Sequence, residues 1–260
     1  MSTGLTVDRE QHLLALLQDN GNVSTSQVAS ELGVSEMTIR RDLTRLEHKG
    51  MVRRVHGGAV LASDNDPGYW LRHKRYRVEK EAIGRAAAAM VESGQTIFLD
   101  TGTTAMEVAR NLIRRSLQGP FTARVVTHAV NIAAEMVAHA NLNVYQIGGP
   151  TDATIFGATG LAAVKQIEEL NFDIFFMGVS GVDLEAGLTN SNPVGVETKR
   201  AALGRAREVF AIADSSKWGH VSFTTIAPLS AVGHLITDAS IPRNATEIAA
   251  RAGVEVIVAD

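Results

Sequence analysis

The sequence predicts an α/β protein in which a small helical domain precedes a larger domain built on a mostly parallel β-sheet. Three observations support this class. Helical patterns and two short β-prone runs fill the N-terminal region. Downstream, apolar runs alternate with helical patterns, which is the order of a parallel sheet covered by helices on both faces. Between the two regions, residues 63–70 contain Pro, Gly and short polar residues without a period, as a linker does.

Composition limits the class of protein. The 260-residue chain is 45% hydrophobic and 20% charged, which suffices for one large or two smaller cores. It has no cysteine, which excludes a disulfide framework, a thiol nucleophile and a thiolate metal site, and which is compatible with a reducing cytoplasm. Neither a secretion signal nor a membrane-spanning apolar run is recognisable, so we expect a soluble cytoplasmic protein. The formal net charge of −3 argues against a general polyanion binder.

The N-terminal region begins with two predicted helices. Leucines follow helical spacing in the first, and Gly21 is a suitable stop for it. Ser24 begins the second helix, and Gln27 stands three residues later, as a capping box requires. Gly33 then breaks this helix.

A third helix is predicted from a cap at Ser35 to a stop at Gly50. Two short β-prone runs around Gly57 and Gly58 then predict a hairpin. Two helices joined by a short turn and followed by a hairpin have the order of a winged helix-turn-helix.

The third helix carries the pattern that decides its function. Ile39, Leu43 and Leu46 share one side at about 100° per residue and face the core. Residues 40–54 contain six basic side chains against two acidic ones. A helix in the major groove reads bases from its N-terminal residues, and arginine can bond guanine at two points. A solvated charged face is the alternative. The candidate DNA-contacting residues are Ser24, Ser35, Met37, Thr38, Arg40, Arg41, Thr44, Arg45, Arg53, Arg54 and His56.

This region resembles a known family. The matching positions are Arg9, Leu13, Leu17, Ser35, Thr38, Ile39, Arg40, Arg41, Asp42 and Leu43, followed by the sequence RVHGGA. They are similar to the N-terminal signature of the DeoR family of bacterial transcriptional regulators. The resemblance implies a repressor of a carbohydrate uptake or catabolism operon, which binds double-stranded operator DNA as a homo-oligomer, a dimer or a tetramer. We assign Asp42 to orienting an arginine rather than to contacting DNA.

Seven apolar runs are the predicted strands of the second region, with helical patterns between them. The strands are 96–99, 124–127, 143–147, 173–178, 209–213, 234–237 and 255–258, and the helices include 104–117, 131–138, 161–170 and 196–206. A basic helix that turns apolar, residues 70–91, leads into the sheet. We therefore place the winged helix-turn-helix at 1–62, a linker and connecting helix at 63–91, and the sheet domain at 92–260.

The sequence LDTGTT joins the first of these strands to the next helix. Its loop, beginning at Asp100, lies at the carboxyl end of a strand, where ligands of open α/β sheets bind. The helix N-terminus attracts anions, Gly102 allows close backbone approach, and Thr103 and Thr104 supply hydroxyls. Together these features predict a phosphate site. The alternative is that threonine only caps the helix.

Small and charged residues follow the other predicted strands. Each alone is compatible with an ordinary turn, but together they surround one edge of the sheet and suit a polyhydroxylated phosphate. The candidate effector-binding residues are Asp100, Thr101, Gly102, Thr103, Thr104, His128, Gly148, Gly149, Gly181, Asp183, Glu197, Lys199, Asp214 and Lys217. We predict no catalytic residue, no metal and no cofactor.

The order of these features resembles the sugar-phosphate-binding C-terminal domain of the DeoR family, which is similar in fold to ribose-5-phosphate isomerase. Gly181, Asp183, Glu197 and Lys217 look like residues of the isomerase active site. The chain nevertheless has SGVDL in place of an acid-rich isomerase segment, and residues 184–196 lack the isomerase lysine. We therefore predict a regulator with a phosphorylated sugar or polyol effector. The alternative is an isomerase-like enzyme with an accessory DNA-binding domain.

His128 is a further departure, because the regulators usually carry asparagine there. Three interpretations stay open. The histidine selects a different effector, it titrates near neutral pH, or it is an ordinary loop residue.

Overall fold

The computed structural model describes residues 9–17, 22–55, 57–61 and 68–260. Within it the chain forms two compact units that divide between Arg75 and Tyr76. The predicted helix stop at Gly21 and the predicted contact residue His56 lie outside the described residues.

The first unit has the predicted order of three helices and a hairpin. Leu13, Leu17, Ile39, Leu43 and Leu46 form its buried centre, because apolar positions at helical spacing share one face. Its elements are α1 (residues 9–17), β1 (Asn22–Ser24), α2 (Thr25–Glu31), α3 (Glu36–His48), β2 (Val52–Val55), β3 (Gly58–Leu61) and α4 (Gly68–Lys74). The strands pair antiparallel in the order β1-β3-β2, so the predicted hairpin is confirmed as β2 and β3.

The predicted capping box at Ser24 is wrong. Ser24 is the last residue of β1 and pairs with Gly58 across the sheet. Its hydroxyl lies 3.0 Å from that of Ser26 and makes no cap hydrogen bond. A strand of three residues is too short to show an alternating pattern, so the sequence does not predict β1.

The connecting segment also differs from the prediction. The single helix expected over 70–91 is two helices, α4 and α5 (Arg77–Ala89). They are separated at Tyr76, whose φ of 52° is left-handed and cannot continue an α-helix. Residues 68–70 of the predicted linker belong to α4.

A seven-stranded parallel sheet lies at the centre of the second unit. All seven predicted strands are present, with ends shifted by a few residues. They are β4 (Thr96–Leu99), β5 (Ala123–Thr127), β6 (Leu142–Gln146), β9 (Phe172–Gly178), β12 (Ala206–Ile212), β14 (His234–Asp238) and β15 (Glu255–Ala259). Their order in the sheet is β15-β14-β12-β9-β4-β5-β6. The smaller strands β7 (Thr151–Asp152), β8 (Gly157–Ala158), β10 (Gly181–Asp183), β11 (Gly187–Asn190) and β13 (Thr224–Ala227) pair antiparallel outside this sheet. The sequence does not predict them, because most are too short for a pattern.

Helices cover both faces of the sheet. Ile97 and Leu99 of β4 pack into one apolar cluster, whereas Phe98 packs into the other, as side chains that alternate along a strand must. The predicted helix over 196–206 ends early at Leu203, because β12 already begins at Ala206. Beyond α5, the helices are α6 (Thr103–Gln118), α7 (Val130–Met136), α8 (Gly160–Glu168), α9 (Val196–Leu203) and α10 (Ala245–Arg251).

The strand order reverses between β4 and β9. From β4 the chain continues to β5 and β6 on one side, then returns to β9 and proceeds through β12, β14 and β15 on the other. In open parallel sheets, ligands bind in the crevice beyond the carboxyl ends of the strands at such a reversal. A ligand site is therefore expected at the loops after β4 and β9.

Candidate DNA-binding surface and effector site

Some charged side chains of helix α3 form ion pairs within the first unit. Asp42 is 1% exposed and accepts hydrogen bonds from Arg9 and Arg45. Glu10 accepts from Arg45 Nε at 2.8 Å and from Lys49 Nζ at 2.6 Å. Burial raises the pKa of Glu10, but these two cations outweigh burial and lower it. Asp42 thus orients arginines, as predicted, and Arg45 helps to hold α1 against α3.

The start of α3 and the strand β2 expose other candidates. The Ser35 hydroxyl accepts from the Thr38 amide at 3.2 Å, which confirms the predicted cap. Met37 is 65% exposed. Arg41 and Arg53 are exposed and make no side-chain hydrogen bond or ion pair with any residue that the structure describes. These two guanidinium groups are therefore available to an outside partner.

Three further candidates have partners within the unit. Arg40 pairs with Glu36 at 3.1 Å. Thr44 Oγ1 donates to the Arg40 carbonyl at 2.8 Å and accepts from Arg54 Nη1 at 3.1 Å. A DNA contact by Arg40 or Arg54 would compete with these bonds, whereas contacts by Arg41 and Arg53 would not.

The loop between β4 and α6 leaves the start of a long helix open. Gly102 is the N-cap, with a φ of 109°, and carries no side chain that could cap the helix. L-residues rarely adopt this conformation. Within the described chain, the hydroxyls of Thr103 and Thr104 make no hydrogen bond. The uncapped amides, the helix dipole and the hydroxyls together suit an anion.

Asp100, at the base of this loop, is completely buried and ion-paired. Lys199 Nζ bonds its carboxylate and also donates to the Gly178 carbonyl at 2.8 Å. The Gly178 amide donates to Asp100 Oδ2 at 2.9 Å, and His128 Nε2 lies 3.1 Å from Oδ1. Burial raises the pKa of Asp100, but the charge of Lys199 and the hydrogen bond of His128 outweigh burial and lower it. The cluster joins β4, β5, β9 and α9 at the strand reversal.

The other charged candidates are not hydrogen-bonded to this cluster. Asp183 accepts from two backbone amides of the turn between β10 and β11, both at 2.9 Å, so it shapes that turn. Glu197 is exposed in the first turn of α9, and Lys217 is half-buried. Asp214 is buried and accepts from Ser216. In the described part of the chain, no hydrogen bond joins any of these four side chains to Asp100.

The glycine candidates have different surroundings. Gly148 and Gly149 border an apolar cleft of about 390 Å³ beside β6, together with Val130 and Val137. This cleft lacks charged walls, so it does not suit a phosphate. Gly181 packs against backbone, since a Cβ there would lie 2.1 Å from the His220 carbonyl.

Asp238, at the end of β14, is a buried carboxylate that was not among the residues predicted from the sequence. It is 4% exposed and accepts from the amides of Ser215 at 2.6 Å and Ser240 at 3.1 Å. Burial raises the pKa of Asp238, but the backbone hydrogen bonds, chiefly from Ser215, outweigh burial and lower it. An acid directly after a predicted strand is a signal that could have found it.

Two features are absent from the described residues. No cluster of three or more His, Cys, Asp or Glu side chains could hold a metal ion there. None of the helices described has the length and apolar character needed to cross a membrane.

Two family profiles match the two units of the chain. The DeoR-like helix-turn-helix domain profile matches residues 9–65, and the DeoR C terminal sensor domain profile matches residues 76–239. The chain belongs to the DeoR family. DeoR-family relatives match it almost end to end. The HTH-type transcriptional regulator GolR of Listeria innocua is 32% identical and aligns over 97% of this chain and 98% of its own. The Glycerol-3-phosphate regulon repressor of Escherichia coli is 31% identical over 92% and 94%.

This DeoR-family chain is a DNA-binding transcriptional regulator. Among solved structures, ribose 5-phosphate isomerase A of Methanocaldococcus jannaschii is similar over 55% of each chain, with 18% identity and a TM-score of 0.42. The isomerase alternative is not favoured, because the relatives that match both domains are named regulators.

Proposed function

We propose that this DeoR-family regulator represses a carbohydrate uptake or catabolism operon and that a phosphorylated sugar or polyol controls it. The observation that supports the effector most is the uncapped start of α6 beside the buried pair of Asp100 and Lys199. The name of the Escherichia coli relative, a glycerol-3-phosphate regulon repressor, points to the same chemical class.

In this proposal the phosphate group binds the first amides of α6 and the hydroxyls of Thr103 and Thr104. An anion is stabilised there by unpaired N–H groups and by the helix dipole. Asp100 and Lys199 fix the loop from beneath. The carbon chain and hydroxyls of the effector then extend across the strand ends. The remaining residues of the proposed site, which contact the effector or support its loops, are Thr101, Gly102, His128, Gly148, Gly149, Gly181, Asp183, Glu197, Asp214 and Lys217.

On the DNA side, Arg41 reads a base edge and Arg53 contacts a phosphate. Arginine can bond guanine at two points in the major groove, whereas phosphate contacts position a protein without reading sequence. Ser24, Ser35, Met37, Thr38, Arg40, Thr44, Arg45, Arg54 and His56 complete the proposed surface. Operators with repeated half-sites would require a homo-oligomer, a dimer or a tetramer, and the protein would act in the cytoplasm, where the chromosome is.

Effector and operator are coupled thermodynamically in this proposal. A ligand that prefers the DNA-free state lowers operator affinity, and DNA lowers ligand affinity by the same factor. A coupling free energy of about 1–3 kcal/mol would change DNA affinity roughly 5- to 150-fold.

A thermal-shift screen tests the effector class. Phosphorylated sugars and polyols are compared with their unphosphorylated parents, because a ligand that binds only the native state raises the melting temperature. We expect a phosphorylated compound to stabilise the wild type, and Thr104→Val to weaken that stabilisation. Thr225→Val, at an exposed threonine of β13, is the matched control and should respond like the wild type. Equal stabilisation by an unphosphorylated parent, or an unchanged response of Thr104→Val, would contradict the proposal.

A further inference from the structure

His128 is buried on every side at the end of β5. It is 0% exposed, and its ring stacks on Phe98 at a centroid distance of 5.8 Å. Nδ1 lies 2.9 Å from the Ala158 carbonyl oxygen, and Nε2 lies 3.1 Å from Asp100 Oδ1. Both ring nitrogens therefore face an oxygen at hydrogen-bond distance.

Both of these oxygens are acceptors. A carbonyl oxygen can only accept, and the Asp100 carboxylate already accepts from Lys199 Nζ and the Gly178 amide. Neutral imidazole has a single N–H, so a neutral ring would direct a lone pair at one of the two oxygens. Only the doubly protonated imidazolium, with two N–H groups, donates to both.

Few charged groups surround the ring. Asp100 faces it from the end of β4, and Lys199 of α9 bonds the far oxygen of that carboxylate. From β8 the ring meets backbone, the Ala158 carbonyl and Gly157. With His128 protonated, the cluster holds two cations against one carboxylate. One positive charge then remains in the cluster, and an anion bound nearby would neutralise it.

The His128 side chain is also hydrogen-bonded to the segment of residues 151–158, which we call the strap. The Ala158 amide donates to the His128 carbonyl at 2.8 Å, so side chain and backbone hold the same strap residue. The strap lies directly on the phosphate loop, because a Cβ on Gly157 would be 2.5 Å from the Thr101 methyl. Phe156 has a φ of 55°, a strained conformation that such ties must hold in place.

We propose that His128 is a proton-operated clasp: as imidazolium it ties the strap to Asp100 and supplies the buried positive charge that a phosphate dianion at α6 neutralises. Loss of the proton leaves one N–H, so either the strap or Asp100 loses its bond to the ring, while the bond from the Ala158 amide to the His128 carbonyl remains. Because linkage is reciprocal, bound anion and bound proton favour each other, and anion affinity falls as pH rises above neutrality. The anion half of this inference rests on the proposed effector site, whereas the clasp itself does not.

The clasp is tested without any ligand. The full-length protein is labelled with ¹⁵N-histidine, and long-range ¹H–¹⁵N spectra are recorded at about pH 7.5, where an ordinary histidine is mostly neutral. His128→Asn, or His128→Gln if that variant does not fold, identifies the His128 signals by their loss. Two protonated ring nitrogens are expected. A neutral ring with one N–H would overturn the inference.

The pH dependence of thermal stability gives a second test of the clasp. An unfolded histidine loses its proton above about pH 6.5, so a clasp that needs this proton stabilises the fold less as pH rises. From about pH 6 to 8.5 the melting temperature of the wild type should fall several degrees further than that of His128→Asn. His220→Asn, at an exposed histidine, should behave like the wild type. Equal slopes in all three proteins would contradict the clasp.

Inorganic phosphate is the probe for the anion half. Phosphate itself titrates, but its own titration affects all variants alike, so the comparison isolates His128. We expect the wild type to lose affinity with pH faster than His128→Asn, by up to about tenfold per pH unit for one linked proton. An imidazolium without any phosphate binding would support the clasp and contradict the effector half. Equal losses in the two proteins would overturn the linkage.

Discussion

The two units use buried carboxylates differently. In the DNA-binding unit, Asp42 is 1% exposed, but its partners Arg9 and Arg45 are 17% and 42% exposed. In the sensor unit, both Asp100 and its partner Lys199 are almost entirely buried, at 0% and 5%. A half-solvated network can exchange partners with water at low cost, whereas a buried pair cannot. The first therefore sets helix packing, and the second also fixes the electrostatics of a candidate ligand site.

The largest effect should come from removing the buried cation. Lys199→Met leaves the Asp100 carboxylate without its main partner, and breaking a buried pair in this way costs about 3–5 kcal/mol. Urea unfolding followed by circular dichroism measures the loss in the free energy of unfolding. Lys217→Met, at a half-buried lysine, is the control and should cost far less. Asp100→Asn in the Lys199→Met background should recover part of the loss. Equal costs for the two lysines would remove the contrast between the units.

The next effect concerns DNA rather than stability. Arg41→Ala should weaken operator binding by about 1–3 kcal/mol and relax specificity at one base pair, because the side chain is free to read a base edge. Arg53→Ala should weaken specific and random DNA alike and reduce the salt slope by about 1. Fluorescence anisotropy at several salt concentrations distinguishes them. If both variants lost equal affinity on specific and random DNA, the assignment of the reading face would be wrong.

A smaller loss is expected at Asp42. Asp42→Asn removes the charge that holds Arg9 and Arg45, but water can solvate both arginines, so we expect about 1–2 kcal/mol of destabilisation. Glu36→Gln, in an exposed pair with Arg40, is the control and should cost less than about 0.5 kcal/mol. Thermal unfolding of both variants measures this difference. A cost at Asp42 as large as that at Lys199 would show that exposure does not separate the two networks.

The smallest effect should appear in acid. The folded pKa of Asp100 is lowered because Lys199 and His128 outweigh burial. Its stabilising contribution is therefore fully present above the unfolded value of about 3.9 and is lost as pH falls through the lower folded value. Asp100→Asn should lose less stability than the wild type when pH falls from about 6 to 3. Parallel curves for the two proteins would mean that Asp100 takes no part in the acid transition.

The sequence predicts the strands and the loops better than the contacts between them. Buried strands such as β4 and β9 have apolar runs that show locally, and the LDTGTT loop is recognisable because glycine and threonine suit an anion at a helix start. The bond between Lys199 and Asp100 joins residues 99 positions apart. It depends on the strand order, which periodicity does not encode. The surroundings of His128 depend in turn on the strap, whose strands of two residues each carry no pattern.

The coupling of the two units is most directly tested by the affinity for a single DNA site. A fragment selected from genomic DNA by the full-length protein is titrated at fixed salt, with and without the phosphorylated compound that stabilises the protein most. We predict a change in Kd of roughly 5- to 150-fold in the wild type. Thr104→Val should keep its ligand-free DNA affinity and lose most of that change. An unchanged Kd in the wild type at saturating ligand would contradict a regulator that senses this compound.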